Sequence, residues 1–189
     1  MKLKAMKMEY WFMKTAQLKC NFSESGIPDF YLQDFLKRLK IDVSVLYDIY
    51  LGNNDTRGSL AFRKEVANIY KTVNPKDILI TNGTSEALYI FFNLFLKKKS
   101  KVLVLFPAFP PLYLIPHGLG ANLNYFDILN FNNKADMFRD LILRIKKTKP
   151  HLVIINIPHN PTGFTFCKEE ILEIGMASKN SKSTILFDE

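Results

Sequence analysis

Four short apolar runs constrain this chain more than any other feature. They are "KVLVLF" (101–106), "ANLNYFDI" (121–128), "HLVIIN" (151–156) and "STILF" (183–187). Most are apolar almost throughout, without the alternation of a strand that wets one face. Such strands are buried on both faces, which requires helices above and below the sheet. The intervening segments supply them. "SEALYIFFNLFL" (85–96) is apolar enough for burial on most sides. "ADMFRDLILRIKKT" (135–148) is amphipathic and ends in lysine, and "KEEILEIGMAS" (168–178) precedes the last run. "DILIT" (77–81), rich in β-branched residues, reads as a fifth strand. The expected fold is α/β, a mainly parallel sheet with helices on both faces.

Upstream, Ser59 is placed to cap a helix running to about Tyr70, and "YLQDFLKRLKI" (31–41) has helical spacing. The rest of residues 1–45 reads as irregular, with "CNFSESGIPDF" (20–30) an extended loop. At 189 residues and 48% hydrophobic, the chain can fill the core of one ordinary domain. Two distant cysteines give no disulfide framework, which suits a reducing, cytoplasmic setting. The apolar runs are too short to span a bilayer, and the lysine-broken N-terminus lacks the core of a signal peptide. The net charge of +8 could serve nucleic acid or an acidic ligand, but the lysines are scattered or sit in short clusters at element ends. No aromatic-basic interleaving accompanies them, so neither a nucleic-acid nor a membrane partner is expected.

In sheets of this kind ligands sit beyond the carboxyl ends of the strands. "TNGTSEAL" (81–88) puts Gly83, Thr84 and Ser85 where a turn opens a helix. Free N–H groups and two hydroxyls there suit a phosphate, or form an ordinary N-cap followed by Glu86. "FPAFPPLY" (106–113) stiffens the chain around Phe109, which either belongs to the core or offers a ring for stacking. In "IPHNPTG" (157–163) the proline after Asn160 restricts that residue, so its amide is presented in one orientation. Asp188 follows the apolar "ILF" and would want a cation there, from a salt bridge or a ligand. Taken together, these groups describe a flat, phosphorylated, protonated heteroaromatic ligand, and pyridoxal phosphate fits that description.

"DTRGSLAFRKEVA", "ITNGTSEAL", "FPAFPPLY", "NIPHNPTG" and "ILFDE", in this order and spacing, resemble the class I/II aminotransferases, fold-type I enzymes that use pyridoxal 5′-phosphate. The resemblance implies an N-terminal arm and small-domain portion over 1–45 and an incomplete cofactor-binding large domain over 46–189. It implies that Gly83, Thr84 and Ser85 hold the cofactor phosphate and that Phe109 stacks on the ring. It also implies that Asn160 bonds the phenolic oxygen and that Asp188 pairs with the pyridinium nitrogen. Gly26 would lie near the substrate carboxylate. Substrates would be an amino acid and a 2-oxo acid, and the complete enzyme a homodimer. Two departures stand beside the likeness. Asn53 occupies a position where the family usually has a tyrosine that reaches the partner subunit's phosphate. The family's Schiff-base lysine is expected beyond Glu189, and no lysine here sits in its motif. The alternative to a catalytic role is a non-catalytic cofactor- or partner-binding module. On the family reading, purified 1–189 protein turns over no amino acid in a coupled transamination assay, and steady turnover would contradict it.

Overall fold

In the computed structural model, which describes residues 6–15, 18, 20 and 26–189, four parallel strands form one sheet. The chain divides into two compact units, Met6–Thr81 and Asn82–Glu189.

The first unit holds α1 (Lys7–Thr15), α2 (Leu32–Leu39) and α3 (Leu60–Ile69). Ser59 caps α3 as expected, its hydroxyl accepting from the Phe62 N–H at 3.2 Å. Arg63, buried within α3, ties the unit together. Its guanidinium donates to the Gly58 carbonyl at 3.0 Å, the Pro75 carbonyl at 2.8 Å and the Asp55 carboxylate at 2.8 Å. A buried cation requires such saturation. Gly58 (φ 90°) lets Ile80 pass so closely that a Cβ would stand 2.6 Å from that side chain.

Two expectations fail in this unit. Residues 7–15 are helical rather than irregular. "DILIT" is no strand: Pro75–Asp77 form a 3-10 turn, and residues 78–81 run on without a ladder. Ile80 N–H donates instead to the Arg57 carbonyl at 3.0 Å. Strand propensity is a side-chain preference for a pleated surface, and without a neighbour it gives an extended segment only. The "CNFSESGIPDF" loop falls partly outside the described residues, at 21–25; Gly26 is an exposed bend.

The second unit runs α4 (Thr84–Phe95), β1 (Lys101–Phe106), α5 (Pro111–Gly118), β2 (Asn122–Asp127), α6 (Lys134–Thr148), β3 (Leu152–Asn156), α7 (Lys168–Asn180) and β4 (Thr184–Asp188). Strand order is β2-β1-β3-β4, with every pairing parallel. Alternate residues feed two cores. Val102, Val104, Leu152 and Ile154 pack under Leu88, Phe92 and Leu96 of the α4 segment and under Leu112 and Ile115 of α5. Leu103, Leu105, Val153 and Ile155 pack against Met137, Leu141 and Ile145 of α6 and Ile174 of α7. Burying each such side chain contributes about 1.5–3 kcal/mol. Helix α4 departs from expectation. Leu88 and Phe92 are buried, but Leu94 is 84% exposed and Phe91 stacks on Phe95 along a partly open flank. A single stripe therefore meets the sheet. Helix α5 was not foreseen, because prolines usually interrupt helices; here Pro111 starts the first turn, where no N–H bond is lost.

The Leu79 amide, which lies outside any strand ladder, is expected to exchange with solvent much faster than those of β3, which pairs on both sides. Native-state hydrogen exchange measures this, and equal protection would contradict the absence of a ladder there.

Candidate functional site

Parallel topology brings all four strand carboxyl ends to one edge. β3 ends at Asn156 and β4 at Asp188, and these two residues are register partners. Alternation turns both toward the face covered by α4 and α5. They touch there. Asn156 Nδ2 donates to the Asp188 carboxylate Oδ2 at 2.9 Å and to its backbone carbonyl at 3.0 Å. Both side chains are buried, and among the described residues no cation faces the Asp188 carboxylate. Burial raises the Asp188 pKa above its ordinary value, and the Asn156 hydrogen bond opposes that rise.

The turn after β3 is built on His159. Its N–H donates to the Phe164 carbonyl and its carbonyl accepts from the Gly163 N–H, each at 2.7 Å. Its Nδ1 lies 2.8 Å from the Thr162 hydroxyl. The ring is 1% exposed, and burial holds its pKa below the ordinary value while the Pro107 backbone opposes. His159 is therefore a buried structural post of the turn. Asn160 follows, half-buried, its backbone N–H donating to Asn156 Oδ1 at 2.6 Å. Its side-chain amide makes no hydrogen bond among the described residues.

Phe109, after β1, is half-buried and packs against the core of the α4 face. It has core contacts and stands at the strand-end edge. Gly83 begins α4 with φ 81°, a left-handed value that favours glycine. No side chain caps the α4 N-terminus. Glu86 is turned back to the Asn82 N–H at 2.6 Å. Thr84 and Ser85 are exposed in the first turn. Positive partial charge and aligned N–H groups at such an end attract an anion. Gly26 belongs to the other unit, where it is exposed.

Thus Asn156, Asn160 and Asp188 are in one hydrogen-bonded group, while Gly83, Thr84, Ser85 and Phe109 lie on elements of the same sheet face. Asn156 escaped the sequence reading. Its signal was a lone amide closing the apolar run "LVII", at the strand end where ligands bind. Chemically, the arrangement offers an anion seat, an aromatic face, an amide and a carboxylate that prefers a cationic N–H.

The profile of the family "Aminotransferase class I and II" matches residues 49–189. An aspartate aminotransferase of Sulfurisphaera tokodaii is 27% identical over 146 residues, 76% of this chain and 36% of that protein. A capreomycidine synthase of Streptomyces vinaceus is 25% identical over 98% of this chain and 48% of its own length. The solved structure of a PLP-dependent aminotransferase from Streptococcus suis superposes with a TM-score of 0.85 and 25% identity, covering all of this chain and 52% of that one. The chain thus spans about a third to a half of the curated relatives it matches.

The buried carboxylate has a stability consequence. A folded-state pKa above the unfolded value means that Asp188 favours folding at acidic pH, and that this contribution is lost as pH rises through the folded value. Replacing it with a neutral amide is expected to raise the melting temperature of unliganded protein at pH 7, with the gain vanishing by about pH 3.8 or below. Thermal melts of Asp188→Asn across pH check this; a variant less stable at pH 7 would contradict it.

Proposed function

The chain belongs to the aminotransferase class I and II family, and on that premise we propose that it is the cofactor-binding portion of an enzyme using pyridoxal 5′-phosphate to move an amino group between an amino acid and a 2-oxo acid. The observation that carries the reading is Asp188: a buried carboxylate, gripped by one amide and lacking a cation among the described residues, at a strand end on the face of the uncapped α4 N-terminus. A protonated ring nitrogen is the partner such a carboxylate lacks, so the residues present fit the cofactor.

In this reading the α4 N-terminus, with Gly83 and the Thr84 and Ser85 hydroxyls, holds the phosphate. Phe109 lies against the ring. Asn160 bonds the phenolic oxygen through its side-chain amide. Asp188 keeps a proton on the ring nitrogen by placing an opposite charge beside it. When bound, the cofactor supplies an electron sink for charge developing on the substrate's α-carbon. The protein's part is to orient the ring and hold that proton. Gly26 is assigned to the substrate carboxylate. We further assign the complete enzyme to the cytoplasm as a homodimer. Among the described residues, no helix is long and apolar enough to cross a membrane.

The test uses full-length protein. Dialysis and absorbance should show retained pyridoxal phosphate, weakened by a Thr84→Ala, Ser85→Ala double change. Asp188→Ala should lower kcat/KM by about a hundredfold or more, the scale of losing a preorganised electrostatic contact. The exposed Asp48→Ala should stay within about twofold. Near-normal rates in Asp188→Ala would contradict the assignment.

A further inference from the structure

We propose that Asn156 is the positioning residue of this site: its single side-chain amide sets both the Asp188 carboxylate and the turn that presents Asn160. The inference rests on the pyridoxal phosphate reading above. Asn156 and Asp188 are the last register pair of the β3–β4 ladder, and Ile157 N–H continues that ladder to the Asp188 carbonyl at 2.9 Å. The amide cannot be reversed. Its Nδ2 faces two acceptors, the Asp188 carbonyl and carboxylate, whereas its Oδ1 faces a donor, the Asn160 N–H. Turned over, it would set oxygen against carboxylate and NH2 against N–H. With both ends committed and the residue buried, the group has one orientation.

The two groups it holds are those assigned to two different positions of the cofactor ring, the nitrogen and the phenolic oxygen. One amide therefore fixes the ring's tilt and its lateral placement together. It also fills one carboxylate oxygen of Asp188. The other has no hydrogen-bond partner among the described residues and remains for the ring N–H. A donor to the carboxylate favours its charged form, which keeps the shared proton on the ring nitrogen rather than on Asp188. Without Asn156 the proton is expected to pass from the ring to the carboxylate.

The experiment uses full-length protein loaded with pyridoxal phosphate labelled with 15N in the ring, and reads the ring-nitrogen NMR signal and the cofactor Kd. Asn156→Leu keeps the branched shape and removes both hydrogen-bonding ends; Asn156→Ala is the second variant. Both are expected to move the signal from the protonated to the unprotonated position and to weaken binding about tenfold, the scale of one hydrogen bond to a charged group. A protonated signal with Kd within about twofold of wild type in either variant overturns the inference. Asp188→Asn gives the unprotonated reference. A wild-type signal already at that reference would instead overturn the Asp188 assignment itself, and this inference with it.

Discussion

Parallel strand pairing is the constraint from which the second unit follows. Two parallel neighbours cannot be joined by a tight turn, so each connection must cross the sheet as a helix. Both faces are then covered, and strands such as "LVIIN" can be apolar almost throughout. The same constraint gathers every carboxyl end at one edge, where the turns of residues 106–111 and 156–168 emerge beside each other. No local sequence rule puts Asn156 against Asp188, which are far apart in the chain. Their adjacency comes from the register of β3 on β4. The polar network is thus a by-product of how the core is stacked.

Charge follows the same architecture. Lys146 and Lys147 lie in the last turn of α6 and Lys179 in that of α7, while Asp136, Glu169 and Glu170 lie in the first turns. These charges sit at the helix ends whose partial charge they complement, although Lys134 and Lys168 stand at the first positions of α6 and α7. In α4 the positive end has no capping side chain, and its one acidic residue is turned to Asn82. A helix start without a capping side chain, and on the same sheet face a buried carboxylate with no cation among the described residues, are costs that folding alone does not explain. Sites that bind ligands commonly hold such unmet charge.

Much of this could be read from the residues. The four strands announced themselves because burial on both faces writes an unbroken apolar run, and Ser59 announced its helix because a cap is local chemistry. What depended on distant partners was less visible. "DILIT" has strand composition, yet pairing is decided elsewhere, and residues 78–81 join no strand ladder. Leu94 and Phe95 belong to a helix whose sequence is apolar all round, but the sheet below it meets only one stripe. Prolines 110 and 111 hid α5, since the same residue breaks a helix interior and starts a first turn. Phe109, Asn160 and Asp188 were legible as residues at or just after a strand end, and Gly83, Thr84 and Ser85 as a helix start. Asn156 was not, because its two partners are chosen by register and by the fold of the next turn.

The central claim is that the strand-end face beneath α4 receives a phosphorylated, protonated ring. A crystal structure of the full-length protein with pyridoxal phosphate tests it most directly. The account predicts the phosphate on the N–H groups of Thr84 and Ser85, the ring nitrogen within hydrogen-bond distance of Asp188, and the Asn160 side-chain amide on the phenolic oxygen. A phosphate bound elsewhere, with Asp188 still facing only Asn156, would contradict it.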